Sequence, residues 1–126
     1  MPDTQHAADA SAEMNDLRMS EAVRPLYDHV RKFIKETVNP MSEEFHRLGE
    51  GKKDIWSYAP GQLECLEKAK DEAKKQGLWN FFLPDAETGE GLSNLDYAYI
   101  AAELGKNPMA SETMNCSAPD TGNMEV

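Results

Sequence analysis

The side chains able to do chemistry in this 126-residue sequence are few and scattered. His6, His29 and His46 stand at no i, i+3 or i+4 relation to one another or to a cysteine, so no metal-binding helix face is encoded. Cys65 and Cys116 are solitary, with no C-x-x-C pair and no secretory leader. They read as two reduced thiols rather than as a disulfide or a metal pair. Gly89-Glu90-Gly91 precedes a helix as a phosphate loop does, but the Walker lysine and a third glycine are missing, and Asp96 in the first turn repels an anion. The acidic runs Glu43-Glu44 and Glu64, Glu67, Asp71 alternate with lysines at helical spacing. That pattern describes solvated helix faces, not paired catalytic carboxylates. These residues therefore predict no catalytic residue, no metal ligand and no cofactor-binding residue within the chain.

Charge narrows the partners. The formal net charge is −10, and it is unevenly placed: residues 20–83 carry 11 acids and 11 bases, whereas residues 84–126 carry 8 acids and Lys106 as their one base. No basic stripe of the kind that neutralises phosphates along a nucleic acid is visible, which excludes DNA and RNA and disfavours anionic membranes. No run of about 18 apolar residues exists to span a bilayer. Residues 1–19 are acidic and poor in large apolar groups, unlike a mitochondrial leader, and read as a disordered tail of a cytoplasmic protein.

The elements that must position anything functional are helices. Val23, Leu26, Tyr27, Val30, Phe33, Ile34 and Val38 recur at steps of three and four, with Pro25 placed for a first turn. Asn39-Pro40 predicts a cap and the start of a second helix carrying Met41, Phe45 and Leu48. The stretch from Gly49 to Pro60 reads as a loop that tucks Ile55, Trp56 and Tyr58 onto the bundle. A third helix carries Leu63, Leu66, Ala69, Lys70 and Ala73, with a Schellman stop in which Gly77 brings Leu78 against Ala73. Leu78 to Leu83 is too short and too uniformly apolar for periodicity to decide between an extended segment and a buried turn, and Pro84 favours the extended one. Ser93 and Asp96 form a capping box, with Leu92 and Tyr97 as its staple, for a helix ending at Leu104 that buries Tyr97, Ile100, Ala101 and Leu104. Asn107-Pro108 opens another helix, Ser117-Ala118-Pro119 interrupts it, Asp120 is expected at solvent or capping a backbone N–H, and Thr121 to Val126 reads as a helix cut in mid-course. The prediction is an all-α bundle of about five helices, with breaks near Asn39, Gly49 to Pro60, Gly77 to Ser93 and Gly105 to Asn107.

Residues GLWNFFLPDAETGEGLSNLDYAYIAAELGKNPMASETMNCSAPDTGNMEV, with Trp79, Pro84, the GLSN turn and AAELG in order, resemble the N-terminal helical domain of the acyl-CoA dehydrogenases. The NCSAPDTGNMEV end is similar to the branch of family members ten and eleven, and the resemblance runs from about Ser20 to Val126. It implies an FAD-dependent oxidoreductase that converts fatty acyl-CoA to trans-2-enoyl-CoA with the help of an electron acceptor, and it implies a homo-oligomer. The flavin-binding domain and the catalytic glutamate would lie beyond Val126, so the 126 residues read as a fragment without activity of its own. By itself the Met-bearing segment Met109 to Met124 reads equally well as a core face with no function, whereas by approximate alignment the resemblance places Met114, Cys116 and Ser117 in the wall of the acyl-chain pocket. As a fragment the chain is expected to expose an apolar strip along Leu78 to Phe82 and Met109 to Met124. The alternative is a self-sufficient helical interaction module.

Overall fold

The computed structural model describes residues 16–126 apart from 88 and 119, and omits the side chains of 120, 121 and 125. Of the tail expected over 1–19, residues 1–15 lie outside the described residues, as do His6, Pro119 and the Asp120 side chain, whereas residues 16–19 do not form a free tail: Met19 packs against the core and the Leu17 carbonyl accepts from Tyr99 OH. A 3₁₀ turn (Glu21–Val23) leads into α1 (Arg24–Phe33), a π-helical turn (Ile34–Val38) and α2 (Asn39–Gly49). Then come α3 (Gln62–Lys75), α4 (Asn94–Leu104), α5 (Pro108–Thr113) and α6 (Asp120–Glu125). With α1 to α2 taken as one continuous rod there are five helices among the described residues, covering 59% of them, and no strand occurs there. The fold is all-α, as expected.

The break expected at Asn39 is absent. Asn39 is helical, with φ −59° and ψ −48°, and its N–H donates to the Ile34 carbonyl, five residues back. Pro40 explains this: it has no N–H to give to Glu36, and its ring crowds that carbonyl, so an α-helix would kink here. Widening one turn to π register lets the helix pass through the proline without stopping.

Each helix buries a face set by its own periodicity. Val30, Phe33, Ile34 and Val38 from the first rod meet Ala73, Ile100, Leu104, Ala110 and Met114 in one core, with Leu26 and Tyr27 packed against it. On α3 the buried residues are Gln62, Cys65, Leu66, Ala69 and Ala73. Leu63, expected on that stripe, is 52% exposed, and Gln62 has its place. Gln62 is buried because its amide is fully used: Oε1 accepts from Ala59 N–H at 2.8 Å and Nε2 donates to the Phe45 carbonyl at 2.9 Å. Those bonds pin the end of the Gly49 to Pro60 loop, and the loop's middle turns outward. Trp56 is 90% exposed, Ile55 is exposed, and Tyr58, 56% exposed, meets the bundle edge-on at Phe45. The expected tucking of these residues is therefore corrected.

The Schellman stop of α3 forms as expected. Gly77 takes φ +73°, Leu78 N–H donates to Ala73 O at 2.8 Å, and Leu78 is buried. Beyond it Leu78 to Leu83 is not extended but a buried turn, with Leu83 N–H donating to Asn80 O and Leu78, Phe81 and Phe82 all in the core. This also removes the expected exposed strip: Met114 and Cys116 are buried and Met109 is partly buried, leaving only Met124 of that list substantially exposed. The next loop packs back onto this turn so closely that a Cβ on Gly89 would lie 2.3 Å from Leu83 O and 2.8 Å from Leu83 Cβ. The Gly89-Glu90-Gly91 motif is thus a packing device. Because the obstructing atom is backbone, Gly89→Ala is expected to cost about 1–3 kcal/mol in urea unfolding, and an unchanged midpoint would show that the loop yields freely.

At α4 the Ser93 hydroxyl accepts from Asp96 N–H at 3.1 Å, the forward half of the capping box. Ile100 and Leu104 are buried, while Tyr97 and Ala101 are half-buried. The reverse half is redirected: the Asp96 carboxylate accepts from Ser20 N–H and Ser20 Oγ, both at 2.9 Å. Tyr99 OH likewise donates to the Leu17 carbonyl. The strand-like entry to the 3₁₀ turn is thereby tied to α4.

Candidate functional site around Met114 and Ser117

The three residues expected in an acyl-chain wall follow α5, so that helix's ends decide where they stand. Asn107 caps it, its Oδ1 accepting from Met109 N–H at 3.1 Å, with Pro108 in the first turn. At its far end Asn115 takes φ +59°, Cys116 N–H donates to Ser111 O at 2.8 Å and Asn115 N–H to Glu112 O at 3.2 Å. This is a second Schellman stop with asparagine in the left-handed position, where glycine usually marks such a stop in a sequence. Hence the sequence shows no glycine here to signal it.

Asn115 has a partner of the same kind. Asn80, in the buried turn, has φ +62°; its Oδ1 accepts from Asn115 Nδ2 at 2.6 Å, and its N–H donates to Met114 O at 3.3 Å. Two left-handed asparagines thus clamp the Trp79-to-Phe82 turn onto the end of α5. Such conformations cost free energy in isolation and persist where surrounding contacts hold them. Nothing in the residue types alone pairs Asn80 with Asn115.

The structure brings the three candidates to one place but gives them different environments. Met114 is 0% exposed and belongs to the core. Cys116 is also buried, its Sγ 3.4 Å from Met114 O, and burial pushes its thiol up to about 12 despite a hydrogen bond with Tyr97. At neutral pH it stays a protonated, non-nucleophilic thiol. Ser117 alone is half-buried, and its Oγ donates to Glu112 Oε2 at 3.3 Å. Glu112 Oε1 in turn meets Lys70 Nζ at 2.9 Å. Burial pulls the Lys70 pKa down, but Glu112 and Glu67 more than offset it, and the ammonium is held above its ordinary range. Lys70, assigned by periodicity to an apolar stripe, is therefore the charged anchor between α3 and the site.

No group of three or more metal-ligating side chains occurs among the described residues. His29 bonds Gln76 and His46 bonds the Ser42 carbonyl, far apart in function as in sequence. No described helix is long and apolar enough to cross a membrane.

No family model matches the chain. It is 40% identical over 126 residues to acyl-CoA dehydrogenase family member 10 of Mus musculus, covering 96% of this chain and 11% of that protein. It is 44% identical over 100 residues to acyl-CoA dehydrogenase family member 11 of Homo sapiens, covering 77% of this chain and 12% of that protein. A solved structure from Mycobacterium abscessus assigned to the acyl-CoA dehydrogenases superposes with a TM-score of 0.69 at 36% identity, over 85% of this chain and 27% of that one. The chain thus spans about an eighth or less of the length of these two curated relatives. Over that span the chain is similar in sequence to acyl-CoA dehydrogenase family members 10 and 11, and its all-α fold matches an acyl-CoA dehydrogenase-like N-terminal domain.

Proposed function

We propose that this domain covers the acyl-chain side of the substrate pocket in an FAD-dependent enzyme that oxidises fatty acyl-CoA to trans-2-enoyl-CoA and works as a homo-oligomer with a separate electron acceptor. The observation that carries the reading is the homology to family members 10 and 11, which runs through the Met114 to Ser117 segment. FAD would accept the β-hydride while a carboxylate removes the α-proton. The described residues do not fit a flavin site. Gly89 is used against Leu83, Asp96 is occupied by Ser20, and Lys106, the lone base of residues 84–126, is paired with Glu103. No chemical step is therefore assigned to this chain, and the 126 residues incubated with FAD and an acyl-CoA are expected to yield no flavin chromophore that bleaches on substrate addition.

The chain's own part is steric. Ser117 is the half-buried member of the trio and is held by Glu112, so a larger side chain there narrows whatever space the segment borders. The test grafts residues 20–126 in place of the corresponding helices of the Mycobacterium abscessus homologue and follows flavin bleaching with short and long acyl-CoA. Ser117→Phe is expected to lower long-chain against short-chain turnover by about tenfold or more, the scale on which apolar pockets discriminate. A flavin-loaded chimera whose chain-length profile ignores Ser117→Phe rejects the acyl-wall role. The reading of an interaction module, favoured by the solvent-facing Ile55 and Trp56, would then replace it.

A further inference from the structure

We propose that the cleft between α1 and the end of α4, lined by Arg31, Lys32, Lys35, Asn39 and Lys106, binds a diphosphate group. The cleft has a volume of about 470 Å³ and carries four cations against the two carboxylates of Glu36 and Glu103, in a chain whose net charge is −10. Within its lining, positive charge outnumbers negative. Arg31 and Lys32 of α1 and Lys35 of the π-helical turn stand at i, i+1 and i+4, and the turn after α4 brings in the single base of the C-terminal third.

The two carboxylates do not cancel the four cations. Glu103 is consumed within the wall: it accepts from Lys106 Nζ at 3.0 Å through both oxygens and from Tyr27 OH at 3.1 Å, and Arg31 Nε stands 3.7 Å away. The Lys106 bond, with the Tyr27 bond and the charges of Lys106 and Arg31, outweighs burial and holds Glu103 below the usual carboxylate range, so it stays ionised and orients two of the cations. Lys32 and Lys35 have no ion pair among the described residues, which leaves their ammonium groups to a ligand. Asn39 adds a neutral donor with a fixed sense. Asn107 Oδ1 caps α5, so its Nδ2 donates to Asn39 Oδ1 at 2.9 Å, and the Asn39 NH₂ is what remains for the cleft.

The lining thus sets the unpaired ammoniums of Lys32 and Lys35 and the Asn39 NH₂ beside Arg31 and Lys106, whose charges are shared with Glu103, with the Glu36 carboxylate and the apolar Ile34 completing the wall. Such a set recognises oxyanions, Arg31 as a planar fork and the lysines as point charges. The excess of two positive charges suits a diphosphate better than a singly charged carboxylate. The cleft offers no aromatic surface on which a ring could stack, so neither a flavin nor a base is recognised here, and the reading is independent of the acyl-chain role. Because the cations are largely solvent-exposed, binding is expected to be salt-sensitive.

The test titrates the 126-residue chain with inorganic pyrophosphate at low ionic strength and follows backbone amide shifts of Arg31 to Asn39 and Lys106. Saturable shifts at those residues are expected, with Lys32→Gln/Lys35→Gln weakening the affinity by about tenfold or more and Lys52→Gln/Lys53→Gln, in the exposed loop, leaving it within about twofold. Competition with ADP distinguishes sources: displacement at equal concentration means a nucleoside diphosphate also fits, and failure to displace restricts the site to the free anion. The proposal is overturned if pyrophosphate gives no saturable shift at the cleft, if the two double variants weaken binding equally, or if orthophosphate binds as tightly as pyrophosphate.

Discussion

Phe81→Ala is expected to destabilise this domain by about 3–5 kcal/mol, measured as the shift of a urea unfolding transition followed by circular dichroism. Phe81 is 1% exposed and sits where the buried turn meets α4, its ring 6.3 Å from that of Tyr97. Removing the ring leaves a cavity whose walls cannot close easily. On one side Asn80 is clamped to Asn115 and Met114, and on the other the Phe81 carbonyl accepts from Glu90 N–H at 3.1 Å. For a domain of ordinary stability, about 5–15 kcal/mol in all, this single change removes a large fraction. Leu104→Ala, in the same core, is expected to cost about 2–5 kcal/mol. Ser93→Ala, which removes one capping bond, should cost about 1 kcal/mol. If Ser93→Ala proved the most damaging of the three, the buried face of α4 would be misassigned.

The comparison among these residues shows what the sequence carries and what it does not. Stripes at steps of three and four place Val30, Phe33, Ile100 and Leu104 inside without any tertiary knowledge, because one helical face must leave water. Cap signals are equally local: Ser93, Asn107-Pro108 and Gly77 do in the structure what their residue types predict. The misreadings occur where a distant partner decides, apart from one that is local. Asn39-Pro40 has the signature of a helix start, yet a π turn carries the helix through it. Leu78 to Leu83 has too few residues for periodicity, and its turn is specified by Asn80 meeting Asn115, 35 positions away. Lys70 reads as apolar by spacing because its stem is buried, whereas its ammonium reaches Glu112 on another helix. The candidate site was legible as a segment through resemblance. Its clamp of two left-handed asparagines and its Lys70-Glu112-Ser117 chain were not, since both are made of long-range polar contacts.

The same distinction makes Asp96 the most informative polar position. As a capping-box residue it would matter through its own helix end, but its carboxylate instead receives two bonds from Ser20, 76 positions earlier, and so joins the chain entry to α4. Asp96→Ala leaves the Ser20 N–H and hydroxyl without their acceptor and removes a negative charge from a helix N-terminus. Hydrogen bonds to charged groups contribute about 1.5–3 kcal/mol each and the dipole about 0.3–1 kcal/mol, so for two bonds and the dipole a loss of at least about 3 kcal/mol is expected. Ser20→Ala keeps the backbone bond and should cost about 1 kcal/mol. Acidity provides an independent check. The Ser20 backbone bond, against burial and with the Ser20 and Ser93 hydroxyls, holds Asp96 below its ordinary value of 3.8. A carboxylate depressed in the folded state stabilises fully above its unfolded pKa and loses that contribution as pH falls through 3.8 toward the folded value. The gap in stability between the unsubstituted chain and Asp96→Ala should therefore be constant from neutral pH down to about 5 and shrink below about 4. A gap that stays constant through acid would mean that Asp96 acts by packing and not by charge, and a gap that already shrinks near neutrality would mean that its carboxyl is raised rather than lowered.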